Sequence, residues 1–302
     1  MAATTVPFRM TRARRAALVI GVPVCLLLVA GNGLSLVADV GEGRYPVHYT
    51  APAGTRALTL NVTGQLTIRP AAAGQATLSG TAVYSLARSK VTESTTGAGT
   101  TIGYHCPLPL GNCELDATVT VPPTVTALTA NSASGDATVN GTTGPVKLST
   151  GDGNLSVAHT SGPLTLNTGS GGIQVSAIRS PALSASSGDG NIQAAGVNSK
   201  TIAMNTNSGS IDGTGGIATS TITASSGDGD VTITFTSVPS DIRVNTDSGN
   251  ITLLLPRSST AYHIAANTDQ GQVSDRGVPQ TSSTAHVITA SSGSGDITIS
   301  EQ

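Results

Sequence analysis

The stretch Val146-Lys147-Leu148-Ser149-Thr150-Gly151-Asp152-Gly153-Asn154-Leu155-Ser156-Val157 decides the fold, because altered copies of it run through the second half of the chain. LTLNTGSGGIQV follows at 164–175, LSASSGDGNIQA at 183–194 and ITASSGDGDVTI at 222–233. Aligned on the turn glycine, the copies fall at Gly135, Gly153, Gly171, Gly190, Gly209, Gly229, Gly249, Gly271 and Gly295, spaced 18 to 24 residues apart. Seven residues before each glycine stands Leu, Val or Ile, from Leu128 to Ile288, and five before it an apolar residue, from Ala130 to Ala290. Two residues after it stands another, from Ala137 to Ile297. Alternation at period two marks a short strand on each side of the turn with one face buried. A single coil of this size cannot bury that face alone, whereas stacked coils lay like over like at about 4.8 Å.

The polar columns are as regular. Three residues before the glycine there is always a hydroxyl: Ser132, Thr150, Thr168, Ser187, Thr206, Ser226, Thr246, Thr268 and Ser292. Four before it there is always Asn or Ser, from Asn131 to Ser291, expected to hydrogen-bond along the stack and to corner backbone. The residue just before the glycine alternates Asp152, Ser170, Asp189, Ser208, Asp228, Ser248. Carboxylates at about 4.8 Å would repel, and alternation with serine doubles their separation to roughly 10 Å, near the Debye length. The turns Asp152-Gly153, Asp189-Gly190 and Asp228-Gly229 thus read as structural elements of the stack.

Working outward toward the N-terminus, Leu58 to Ile68 has the same rhythm and reads as a degenerate first coil. Segments 76–86 and 117–121 read as further strands, and Pro122-Pro123 closes a region that caps the stack's otherwise open strand edges. Ala16 to Val37 carries no charge, and a helix that long rises about 33 Å, the thickness of a bilayer core. Arg9, Arg12, Arg14 and Arg15 precede it, which places the N-terminus inside and the rest outside. The competing reading is a signal peptide whose cleavage releases a secreted protein, but the segment lacks a clear A-x-A site. Cys25 lies in mid-segment and reads as a small buried apolar residue.

Composition narrows the function. Charged residues are 11% and aromatics 2%, with no Trp, so the core must be built from small β-branched side chains used repeatedly. From Asp39 onward 11 basic residues face 17 acidic ones, a net charge of −6, which gives no general purchase on nucleic acid or an anionic wall polymer. Cys106 and Cys113, in YHCPLPLGNCEL, are expected to pair in oxidising surroundings, since His105 alone does not complete a metal site.

The pieces TGDGNLSV, SSGDGNIQA, SSGDGDVTI and SGSGDITI resemble the repeats of bacterial DUF4097 proteins, a family described as adhesin-like. The C-x6-C element and the TVTVPP lead-in are similar to actinobacterial members with an N-terminal anchor, and the resemblance covers residues 56–302. It implies a β-helical solenoid outside the cell, in some members tied to envelope-stress operons, with no shared catalytic residues to carry over.

Two chemical alternatives compete with this reading. A calcium-binding surface β-roll places an Asp in every nine-residue turn, whereas here the coil is twice as long and alternate coils carry Ser. A polysaccharide-active β-helix enzyme needs paired carboxylates in a groove with aromatics to stack sugars, and this chain has five Tyr and two Phe. His48, His105, His159, His263 and His286 show no ligand spacing and are expected in surface loops. Lys147, Arg243 and two alanines interrupt any flat threonine array of the ice-binding kind.

The expected architecture is all-β: a right-handed parallel β-solenoid of about 18–24 residues per coil, preceded by one N-terminal transmembrane helix. Residues 1–15 form a cytoplasmic tail, 16–38 the transmembrane helix or signal anchor, 39–55 a linker, 56–127 the β cap and first coils, and 128–302 the regular coils. The expected protein is a non-enzymatic, cofactor-free cell-surface interaction module whose partner is an envelope protein or glycan. Function is expected in the loops after Val231 and Leu253 and in the cysteine-bearing cap. The last coil, ending at Glu301-Gln302, is expected to leave an edge open to end-to-end self-association.

Overall fold

The structure, a computed structural model, describes residues 42–85, 87–107 and 111–302. The basic tail and the apolar segment 16–38 lie outside these residues. All named elements of the described chain are strands, and no helix among the described residues is long and apolar enough to cross a membrane.

In chain order the strands are β1 (Glu42–Thr50), β2 (Ala57–Val62), β3 (Leu66–Pro70), β4 (Thr77–Ser85), β5 (Lys90–Thr96), β6 (Gly99–His105), β7 (Cys113–Val121), β8 (Ala127–Ser132), β9 (Ala137–Asn140), β10 (Val146–Thr150) and β11 (Leu155–Ala158). They continue as β12 (Leu164–Thr168), β13 (Ile173–Ser187), β14 (Ile192–Thr206), β15 (Ile211–Ser226), β16 (Val231–Phe235), β17 (Asp241–Thr246), β18 (Ile251–Leu255), β19 (His263–Thr268), β20 (Val273–Arg276), β21 (Val287–Ser292) and β22 (Ile297–Glu301). Each regular coil is one strand before the glycine turn and one after it. Strands of consecutive coils pair in parallel with like columns in register, for example Val146↔Leu164, Leu148↔Leu166 and Thr150↔Thr168. In β13, β14 and β15 the return leg is itself extended, so Ile178, Val197, Ile217 and Phe235 form a third buried column.

The core sits between the two legs of the coil and is one continuous cluster from Val47 to Ile299. Its columns are buried from Leu128 through Ile242 and from Leu155 through Ile251, and again at Ile288 and Ile297, with half-buried Ile264 and exposed Val273 of the distal coil as the exceptions. Each such Leu or Ile contributes roughly 1.5–3 kcal/mol by leaving water, so many small side chains replace the missing aromatics.

Spatial order departs from chain order at both ends. β2 and β3 lie between β6–β7 on one side and β8–β9 on the other, so the first coil in sequence is an inner one. β21 and β22 lie between β17–β18 and β19–β20, so the last coil is also an inner one. The expected open edge at Glu301-Gln302 is therefore wrong. Gln302 instead donates its backbone N–H to Leu255 and its side-chain amide to the Phe235 carbonyl, 2.9 Å away. The unpaired edges at this end, among the described residues, are β19 and β20.

The opposite end is closed by antiparallel strands: β4 pairs β7, β1 pairs β4 and β5 pairs β6. The expected linker 39–55 is thus corrected, since residues 42–50 form the outermost cap strand. Pro46 and the Arg44–Glu42 ion pair on β1, with Lys90 and Glu93 on β5, blunt its edges. Where every other coil has a tight glycine turn, β6 and β7 are joined by a longer loop, and Cys106 and Cys113 at its ends form a disulfide with Cα atoms 6.2 Å apart.

Candidate functional site

The turns are held by a ladder of hydroxyls. Thr150, Thr168, Thr206 and Thr246, with Ser187, Ser226 and Ser292, point inward and are buried. Thr168 Oγ1 donates to the Gly153 carbonyl of the preceding coil at 2.9 Å and accepts the Gly171 N–H of its own turn at 3.1 Å. The pattern repeats from Ser132 to Ser292 and follows spatial order, since Ser292 reaches Gly249 and Thr268 reaches Gly295. Two backbone groups per coil are satisfied by one side chain where water does not reach. The turn glycines have no alternative. A Cβ at Gly153, Gly171, Gly190 or Gly229 would fall 1.9–2.1 Å from the preceding coil's carbonyl oxygen, far inside van der Waals contact.

The Asp/Ser alternation also hydrogen-bonds. Ser170 donates to Asp152 at 3.2 Å and Ser208 to Asp189 at 3.5 Å, so these two serines link their coils to the carboxylate below. Asp228 lies two coils from Asp189. The Asn/Ser column does less than expected: Asn131 donates to Asn61 at 2.8 Å and Ser291 to Asn245 at 2.7 Å, and these are its two stack bonds among the described residues.

Two further ladders escaped the sequence reading. Asp or Asn directly after the glycine caps the next coil's N–H: Asp136 accepts from Asn154, Asn154 from Gly172, Asn191 from Ser210 and Asp230 from Asn250, at 2.7–2.8 Å. Asp and Asn are frequent there, but glycine and serine interrupt the column at Gly172 and Ser210. At the return corner, Ser180, Ser199 and Thr219 pair in register as a second buried hydroxyl column, while Thr142 and Thr160 are buried hydroxyls at the position that Ile178 and Val197 fill in the next coils. Ser180, Ser199 and Thr219 each stand ten residues before a turn glycine, a spacing that counting could have found. Ser180, Ser199 and Thr219 donate to the carbonyl two residues on, at 2.6–2.9 Å, whereas Thr142 and Thr160 have no partner.

Two kinds of depression open on the side of the coils. One, about 470 Å³, is lined by Asn154, Gln174, Asp189, Asn191 and Gln193, and a smaller one beside Gln193 includes Asp212. These are rich in amides and carboxylates. The other, about 540 Å³, is lined by His159, Thr160, Ser161, Ala177, Ile178, Arg179, Gly196 and Asn198, with no acid. Among the described residues no group of three or more His, Cys, Asp or Glu is placed to hold a metal ion. The expected loop after Val231 is instead strand β16 as far as buried Phe235, with a short loop at 236–240, while the loop that follows β18 leads to Tyr262, buried with its hydroxyl unpartnered. His48, His105 and His263 lie on strands, not loops.

A polar-laddered, strand-capped solenoid with solid core is the class that this geometry defines. The chain belongs to the Toastrack DUF4097 family, which matches residues 90–300. No curated protein matches the sequence significantly. Among solved structures, a protein from Parabacteroides distasonis named provisionally as lipid-binding is similar with a TM-score of 0.55 at 13% identity, over 88% of this chain and 98% of that one. One from Bacteroides fragilis, named provisionally as an adhesin, gives a TM-score of 0.47 at 13% identity, over 86% and 97%. At 13% identity the likeness to the Parabacteroides protein is one of fold alone.

Proposed function

We propose that the chain is a non-enzymatic, adhesin-like interaction rod of right-handed coils, displayed outside the cell on a single-pass anchor at residues 16–38. The observation that carries this reading is the employment of the turn side chains. Asp152 and Asp189 accept hydrogen bonds from the serine of the adjacent coil, and the hydroxyls of Thr150, Thr168, Thr206 and Thr246 join turn to turn. Chemistry-bearing residue types are thus used to hold the stack, which leaves its sides as broad, weakly charged surfaces suited to contact rather than reaction. The chain enters the fold at the capped end through β1, so an anchor there lets the length of the rod project.

The test is retention of purified full chain on intact bacterial cells and on isolated envelope glycan. Saturable retention without depolymerisation of the glycan, unchanged in Asp189→Asn and Asp228→Asn, is expected. Turnover of the glycan that either substitution abolishes would establish the enzyme reading instead. A rise in melting temperature with millimolar calcium would favour the calcium β-roll.

A further inference from the structure

The return corner demands a left-handed backbone in successive coils: Gly141, His159, Ala177, Gly196 and Gly216 all have positive φ there. Glycine adopts this conformation freely, whereas a side chain raises its cost. Two coils nevertheless keep a side chain, His159 at φ 54° and Ala177 at φ 50°, and both residues line the 540 Å³ depression. The same depression is lined by Thr160, only 1% exposed, whose hydroxyl has no partner and which follows the left-handed residue as Ile178 and Val197 do, so that a hydroxyl stands where the next coils are apolar. Arg179, exposed on the next coil, makes no salt bridge among the described residues. A cation and an imidazole therefore line one depression whose wall holds no carboxylate, on a body that is otherwise net acidic.

We infer that this corner is a binding site for the carboxylate of an acidic sugar within a glycan chain. Guanidinium meets a planar carboxylate through two parallel N–H···O bonds, which favours Arg179 as the anchor. Ser161 and Asn198, both exposed, supply the hydroxyl and amide groups that recognise neighbouring sugar hydroxyls. His159 is retained in a strained conformation because its ring closes the site, the pattern expected where backbone strain serves a ligand. The inference rests on the reading of the rod as an interaction surface and names one ligand class for it.

The test measures binding of full chain to oligogalacturonate, to a neutral galactan oligomer and to inorganic phosphate, by calorimetry. Oligogalacturonate is expected to bind and the neutral oligomer to bind at least about tenfold more weakly, with Arg179→Gln removing about tenfold or more of the affinity. His159→Gly is expected to weaken binding while raising the denaturation midpoint, a pairing of effects that a purely structural histidine would not give. Phosphate binding as tight as the oligosaccharide, an indifferent Arg179→Gln, or a destabilised His159→Gly would each overturn the inference. Retention on envelope glycan that ignores Arg179→Gln would overturn this site alone and leave the surface reading standing.

Discussion

At the scale of single residues, two neighbouring glycines separate the demands of the turn. Gly171 lies against the Gly153 carbonyl, where a Cβ has no room, while a Cβ at Gly172 would meet the Asn191 carbonyl oxygen at 3.4 Å, an ordinary contact. Gly171→Ala is therefore expected to destabilise the protein by about 3 kcal/mol or more, since the coils must part, and Gly172→Ala by less than about 1 kcal/mol. Denaturant titration followed by circular dichroism distinguishes them. Thr168 makes the same point through hydrogen bonds. Thr168→Val keeps the shape but strands the buried Gly171 N–H and Gly153 carbonyl, a cost of about 2 kcal/mol. Thr168→Ser, which copies Ser187 and Ser226, is expected near wild type in the same titration.

At the scale of elements, the two ends of the stack are finished differently. The cap of β1, β4 and β5 uses antiparallel pairing and the disulfide, with Tyr104 donating to the Val83 carbonyl at 2.8 Å to tie β6 to β4. The distal end instead leans on Tyr262, whose ring meets His286 edge-on with centroids 5.6 Å apart. Burial, and then the charge of Glu301, pushes the Tyr262 phenol up to about 12. Its unfolded value is about 10, so the neutral phenol contributes stability fully below that pH, and this is lost as pH rises through about 12. Tyr262→Phe removes an unpartnered buried hydroxyl and is expected to be at least as stable as wild type at pH 7, with a shallower decline of melting temperature between about pH 10 and 12.

At the scale of the whole molecule, the inward placement of both terminal coils governs where the rod opens. β21–β22 has a partner coil on each side and β19–β20 on one, so amides of 287–301 are expected to exchange more slowly than those of 263–276, although they lie closer to the chain end. Hydrogen exchange read by mass spectrometry checks this order. The distal coil leaves Val273 44% exposed and Ile264 half-buried, which invites association. Asp275 opposes it: it holds the register position of buried Ile299 in the neighbouring coil, an inward charge at the end of the stack. Asp275→Val is expected to convert monomer into end-associated species in sedimentation, where wild type does not associate through this end.

Much of this was legible without a structure, and the boundary has a physical cause. The coil, its inward columns and its hydroxyl ladder follow from the sequence alone, because each contact joins like to like at nearly constant spacing and every repeat states it again. Thr150, Thr168, Thr206 and Thr246 could be placed in one column by counting. Coil order could not, since Ile264 and Ile288 carry equivalent patterns and either fits against Ile242. Only tertiary packing decides which coil lies inside, with the exposed Asp275 left where an inward charge can reach water. The corner of His159, Thr160 and Arg179 was likewise beyond counting: Gly141, His159, Ala177 and Gly196 all fall six residues after a turn glycine, but they share no side-chain type, and the backbone conformation that unites them is seen only in three dimensions. Repetition determined the stack, and the places where repetition fails, at the ends and the return corner, were decided in three dimensions.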